Sequence, residues 1–207
     1  MKKIGNPVYT VGHSTHSIEA FIALLRKAEL DAIADVRSTP YSRWRPHFNR
    51  DTLQRALTGC GIAYVFLGVE LGGRGAGSSE RDENGRTKYQ NIARSAAFHE
   101  GLRRVHAGSQ RMRLALMCAE SDPLECHRGI LVSRFLVTHD TQVLHIHGDG
   151  QIEPHREAEQ RLRRIMALAE PDLFRTEDQI LADAYERQEA RIAYVEPNAT
   201  AEESLAR

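Results

Sequence analysis

Between Leu116 and Gly129 the sequence reads LMCAESDPLECHRG, bringing Cys118, Glu120, Cys126, His127 and Arg128 into one short turn-rich stretch. A thiolate is a nucleophile and a metal ligand, and an imidazole with an ordinary pKa near 6.5 can carry a proton either way. Cys118 and Cys126 are therefore candidate nucleophiles, and His127 a candidate acid, base or phosphate donor. Glu120 pairs in thought with Asp35, because two carboxylates in different environments can divide acid and base roles. Each residue also has a plainer use. Cys118 suits the buried end of a strand, His127 can cap a helix, and Asp35 and Glu120 can hold Arg37 and Arg128 in bidentate ion pairs. A metal ion on Cys118, Cys126 and His127 is an alternative, although one distant cysteine and an adjacent Cys–His pair lack the usual paired spacing. A strand, cysteine, loop, arginine, helix order also belongs to phosphate-cradling loops, but the Cys118 to Arg128 interval is too long for the compact loop of tyrosine phosphatases.

A second cluster, RSTPYSRWRPHFNR, places Arg37, Arg43, Arg45 and Arg50 around Tyr41, Trp44, His47 and Phe48. Arginine forks hold phosphates and aromatic faces stack bases, so this is the best nucleotide signal in the chain. A solvated surface loop around a packed tryptophan explains it equally well. GGRGAG, with Gly73 and Arg74, lacks the spacing of a phosphate-loop or dinucleotide fingerprint and reads as a hinge. His145, His147 and His155 surround an apolar run, where structural roles are favoured; His155 is the one expected to reach a pocket.

What must position these groups is legible in the periodicity. PVYTVGH, DAIADVRSTP, IAYVFLG, RLALMC and QVLHIHGDG are short runs rich in strand formers. Between them lie helical spacings: Phe21, Leu24, Leu25 and Ala28 after a Ser17 cap; Leu53, Ala56, Leu57 and Cys60 after Asn49, ended by Gly61; Phe98, Leu102 and Val105 after Ser95. GILVSRFLVTH is a further helix, Ala158 to Ala169 another, and Thr176 with Gln179 opens the last by a capping box. Cys60 falls on a core face. Cys126, His127 and Arg128 fall in a first helical turn, where free N–H groups and the helix dipole favour an anion.

Alternating strands and helices predict an α/β fold: three layers, a mostly parallel sheet of about five strands, helices on both faces. In such sheets ligands bind beyond the carboxyl ends of the strands. Those ends deliver His13, Asp35, Arg37, Gly73, Arg74 and the Cys118 to Arg128 stretch to one edge. Residues 1–195 are expected to form one domain, 72–88 a long glycine-rich loop or lid, and 196–207 a disordered tail.

Composition narrows the function class. Lysine plus arginine and aspartate plus glutamate balance at 28 each, so overall charge does not favour a protein that coats nucleic acid or an anionic membrane. No apolar stretch approaches a membrane span or signal peptide, and the 3 cysteines do not make a disulfide framework. A cytoplasmic protein with reduced thiols is expected.

TVGHS, DVRSTPYSR, LGGR and CAESDPLECHR after successive strands, with PDLF and AYERQEARIAY near the C-terminus, resemble the domain of unknown function 488 family. The resemblance covers nearly the whole chain. It implies an α/β fold and a common pocket, and leaves the reaction to be argued from the residues.

The expectation is a hydrolase or transferase acting on a phosphorylated, nucleotide-like or nucleic-acid substrate. Asp35, Cys118, Glu120, Cys126 and His127 are the candidate catalytic residues. His13, Arg37, Tyr41, Arg43, Gly73, Arg74, Arg128 and His155 are the candidate substrate contacts. No cofactor is expected, and the partner is a small anionic or nucleotide-like molecule, with nucleic acid as a further possibility and no membrane. The alternatives are a noncatalytic nucleic-acid binder and a thiol or metal redox sensor built on Cys118, Cys126 and His127.

Overall fold

The computed structural model describes residues 5–75, 77–139, 141–170 and 173–197. The expected apolar runs become β1 (Val8–Gly12), β2 (Ala32–Asp35), β3 (Ala63–Phe66), β4 (Leu114–Cys118) and β5 (Val143–Ile146). A sixth strand, β6 (Ile152–Pro154), completes one sheet in the order β3-β2-β4-β1-β5-β6. All pairings are parallel except β5 with β6, which run antiparallel. A mainly parallel sheet between two helical layers is the expected architecture, with one strand more than the five read from the sequence. Pro154 ends that extra strand and has no N–H to donate, so only an edge can accommodate it.

The helices are α1 (Ile18–Lys27), α2 (Arg50–Gly59), α3 (Gly68–Leu71), α4 (Tyr89–Ala93), α5 (Ala96–Ser109), α6 (Arg134–Val137), α7 (His155–Ile165) and α8 (Glu177–Ile192). Phe21 and Leu25 of α1 with Leu53 and Leu57 of α2 cover one face of the sheet, meeting Tyr9, Val11, Ile33, Ala115 and Met117. The other face, with Val8, Ala34, Leu116 and Cys118, packs against Phe98, Leu102, Leu162, Ile180 and Tyr185. Strand side chains alternate between faces, which is why consecutive β1 and β4 residues divide between the two cores.

Two readings change. Cys60 lies past the end of α2 and is only partly buried beside Glu19 and Ile22, because the helix stops before the next core position; Gly61, at φ +78°, turns the chain away. Cys126 is extended, at φ −144° and ψ 142°, between a 3₁₀ turn at Pro123–Glu125 and a π-helical turn at Arg128–Ser133. It therefore precedes the helix instead of sitting in its first turn.

The glycine-rich segment 72–88 contains a 3₁₀ turn at Ser78–Glu80 and is tied to the C-terminal segment. Thr87 N–H donates to the Tyr194 carbonyl at 2.8 Å and Glu196 N–H to the Gly85 carbonyl at 3.0 Å. The tail expected over 196–207 lies, from 198 on, outside the described residues. Among the described residues no helix is long and apolar enough to cross a membrane.

The connection from β1 passes through α1 on one face, whereas the connection from β4 passes to the opposite face. β1 and β4 are sheet neighbours, with Gly12 in register with Cys118. Neighbouring strands whose loops part to opposite faces leave a crevice at their carboxyl ends, and ligands of open α/β sheets bind in such crevices.

Candidate functional site

A cavity of about 250 Å³ opens beyond the carboxyl ends of β2, β3 and β4, lined by the residues that follow those three strands and by none of β1. Its floor begins at Cys118, the last residue of β4. His13 N–H donates to the Cys118 carbonyl and Ser14 N–H to that of Ala119, each at 2.9 Å, so the chain leaving β4 stays laced to the end of β1. Gly12 makes this approach possible: a Cβ there would stand 1.8 Å from the Glu120 carbonyl oxygen. Asp122 then caps the 3₁₀ turn by accepting from Leu124 N–H at 2.9 Å, and the chain returns at Cys126 to face Cys118.

His127 completes the cluster. Its Nε2 lies 3.0 Å from the Val36 carbonyl, which can only accept, so Nε2 carries a proton. Nδ1 thereby faces both sulfurs, 3.7 Å from Cys126 Sγ and 3.9 Å from Cys118 Sγ. Gly73 packs against the ring so closely that a Cβ would come within 2.6 Å of it.

Burial opposes ionisation of Cys126. A hydrogen bond from Cys118 and the positive charges of Arg128 and His127 outweigh it and hold this thiol well below the ordinary range. Arg128 N–H adds a 3.4 Å contact to the sulfur. Cys118 is pushed well up, first by its hydrogen bond to Cys126 and then by burial. Burial raises Glu120, and negative charge at Cys126 raises it further. Burial would lower His127, but the Cys126 thiolate beside it turns the shift upward. The shifts run toward a charged Cys126 and His127, beside a second thiol and a carboxyl that both hold their protons more tightly than usual.

Of the expected site residues, Arg37, Gly73, Arg74, Cys118, Glu120, Cys126 and His127 line this one cavity. The others lie elsewhere. Asp35 is fully buried and occupied: it accepts from Arg37 Nε at 2.9 Å and from another guanidinium nitrogen of Arg37 at 2.7 Å, while the Tyr64 hydroxyl donates at 2.7 Å. That is the ion-pair alternative read from the sequence. His13 stacks on Phe48 with ring centroids 4.2 Å apart, and burial first, then Arg37, lower its pKa to about 4.

Arg128 turns away from the cavity. Its guanidinium donates to the Glu120 and Ser121 carbonyls at 2.7 and 2.8 Å, and its Nε has no partner. The bidentate ion pair that is the alternative for Glu120 is not what forms with Arg128, which binds the backbone oxygen of Glu120 and not its carboxylate. Tyr41 is exposed and does not line the cavity; Arg43 stacks 4.7 Å over the exposed Trp44 ring. His155 is buried in a hydrogen-bonded chain away from the cavity. Sequence reasoning did not single out Tyr89, Glu125 or Tyr194 as lining residues. Tyr194 closes the AYERQEARIAY motif and carries the Arg74 guanidinium 4.7 Å over its ring, so only the motif signalled it.

The family model described as Domain of unknown function DUF488 matches residues 17–135, from the Ser17 cap through the whole Cys118 to Arg128 stretch. The chain belongs to the DUF488 family. No curated protein and no solved structure matches it. The matched span holds every expected DUF488 site residue except His13 and His155, while the α8 end that closes the cavity lies beyond it.

Proposed function

We propose that this chain is a hydrolase or group-transfer enzyme for a small anionic substrate, with the Cys118, Cys126 and His127 cluster as its reactive centre and Glu120 as its proton carrier. The observation that carries the reading is the convergence of a thiolate, an imidazole and a carboxyl of raised pKa on the floor of a cavity that Arg74 and Arg37 also line. Raising the pKa of a carboxyl suits it to donate a proton to a leaving group. Arg74 is exposed at the mouth, with its guanidinium stacked on the Tyr194 ring and in no ion pair among the described residues, whereas Arg37 is largely neutralised by Asp35. At about 250 Å³ the cavity falls just below the usual range for drug-sized ligands, which favours a compact phosphorylated or carboxylated molecule over a polymer.

The test is a panel of phosphate monoesters, sugar phosphates and nucleoside phosphates, scored by thermal shift and then by turnover. Glu120→Gln is expected to keep affinity and lower turnover by roughly 10²-fold or more. Arg74→Ala is expected to weaken binding by about tenfold, near 1.4 kcal/mol. If no member of the panel raises the melting temperature, or if both variants bind and turn over normally, the reading fails.

One observation favours a second reading. Tyr41 and Trp44, 69% and 76% exposed, stand with Arg43 outside the cavity. A nucleic-acid binder would use them by stacking. It would lose oligonucleotide affinity on Trp44→Ala and be indifferent to Glu120→Gln.

A further inference from the structure

We propose that Cys118, Cys126 and His127 together hold one divalent transition-metal ion of the zinc class, with its fourth position open to the cavity. The proposal rests on the enzymatic reading for its role, but on geometry alone for its existence. The two sulfurs and Nδ1 lie within 4.8 Å of one another, the only such set among the described residues. A tetrahedral zinc ion, with bonds of about 2.3 Å to sulfur and about 2.0 Å to nitrogen, sets its sulfur and nitrogen ligands about 3.6 Å apart. The Nδ1 separations of 3.7 and 3.9 Å from the two sulfurs come close to that spacing. Each sulfur thus stands at nearly the distance from Nδ1 that two ligands of one ion would keep.

The ring is also oriented as a ligand. Nε2–H is committed to the Val36 carbonyl, which leaves Nδ1 facing the sulfurs as the nitrogen a metal would bind on displacing its proton; metal-bound histidines fix their tautomer by this kind of outer contact. The neighbours hold the donors still: Cys118 ends a strand in the middle of the sheet, Cys126 receives Arg128 N–H, and Gly73 packs on the imidazole. Two sulfurs and one imidazole form a soft donor set that suits zinc and disfavours calcium or magnesium. Three protein ligands with a fourth position facing a cavity is the arrangement of catalytic zinc sites, whereas structural sites close all four. Glu120 lines the cavity beside the thiols but lies outside the three-ligand set. That leaves it available to exchange a proton with whatever occupies the fourth position.

The experiment titrates the metal-stripped full chain with Co²⁺ and follows the visible and near-ultraviolet spectrum. The expected result is saturation at one equivalent, with the intense visible bands of tetrahedral cobalt, thiolate-to-metal charge transfer, and displacement by Zn²⁺. Cys118→Ser, Cys126→Ser and His127→Ala are each expected to weaken Co²⁺ binding by at least about 100-fold, at or beyond the cost of losing an outer-shell partner. Circular dichroism of each metal-free variant establishes that it is folded; where one is not, the wild-type spectrum decides. Weak octahedral cobalt bands, no saturation, or binding unchanged in a folded Cys126→Ser protein would overturn the proposal. So would rapid alkylation of Cys126 that Zn²⁺ does not slow, the result expected of a free nucleophile or redox thiol. The two readings can fail separately. Loss of the metal site leaves Cys126 as a candidate nucleophile, and a metal-loaded protein inert toward every anion in the panel refutes the enzymatic reading while the site stands.

Discussion

Acidification should destabilise this fold through histidines it keeps neutral, and His155 offers the cleanest measurement. The ring is 2% exposed. His145 Nε2 lies 2.9 Å from its Nδ1, and the Tyr185 hydroxyl lies 3.0 Å from its Nε2. Tyr185 donates to Glu159 at 2.9 Å, and the Thr10 hydroxyl lies 2.7 Å from His145 Nδ1. Assigned from these contacts, the donors run in one direction: Thr10 to His145, His145 to His155, His155 to Tyr185, Tyr185 to Glu159. A second proton on His155 would set two donors against each other at Nδ1 and bury a charge, and burial lowers its pKa from 6.5 to about 4. Between those values the unfolded chain binds a proton that the folded chain refuses, so stability falls as pH falls. With pKa values of 6.5 unfolded and about 4 folded, the loss on going from about pH 7.5 to about pH 5 is roughly 2 kcal/mol. Burial also lowers His145, which adds in the same sense. Glu159 and Glu189 are raised by burial and act oppositely, since the folded state takes up their protons first. The assay is therefore a difference: urea unfolding of wild type and His155→Gln at both pH values. The variant lacks the unfolded-state proton, so its deficit relative to wild type should shrink by about 2 kcal/mol at the lower pH. An equal deficit at both, or a His155 resonance titrating above pH 6, would refute the reasoning.

Gly12→Ala should cost about 1–3 kcal/mol in chemical denaturation, because its Cβ would collide with backbone at the Glu120 carbonyl and the segment must shift; an unchanged midpoint would show that the segment yields freely. Arg128→Met should lose about 3 kcal/mol of stability by leaving the Glu120 and Ser121 carbonyls without their charged donor, whereas Arg74→Ala should leave stability unchanged. The opposite ranking would mean that Arg128 faces the ligand after all. A thiol reagent applied to the folded, zinc-loaded protein should label Cys60 first, since Cys118 and Cys126 are buried and Cys60 is not; protection of Cys60 would place it in the core.

The elements were legible where local chemistry decided them. Ser17, Ser95 and Thr176 each accept the cap hydrogen bond their spacing implies, and Thr176 with Gln179 closes the capping box in both directions. Asn49 shows the limit: it precedes α2 as expected, but its side chain accepts from Ser42 N–H at 2.7 Å and caps nothing in the helix. β6 is three residues ending in proline, too short for alternation to register. At the site, residue types were readable and directions were not. A buried arginine beside two cysteines reads as an anion contact until Gly12 is seen to admit the loop whose carbonyls capture it. Tyr89 reaches the cavity from a five-residue helix whose apolar spacing reads as core.

Arg128 is the residue through which fold and site are joined. Its side chain binds the carbonyls of Glu120 and Ser121, while its own N–H meets Cys126 Sγ. One residue thus clamps both ends of the segment between the two cysteines. The lacing of His13 and Ser14 to residues 118 and 119 fixes the near end of that segment on β1. Asp122 receives both terminal nitrogens of Arg161 from α7, at 2.6 and 2.9 Å, and so anchors its middle. A partly screened surface pair of this kind contributes little to global stability. Its geometric effect is larger, because the loop from Cys118 to Cys126 then has no free pivot. A buried guanidinium with an unpartnered Nε is costly to keep. The fold keeps it where it holds two thiols and an imidazole at the separations of a shared ligand set, and a surface arginine could not do that.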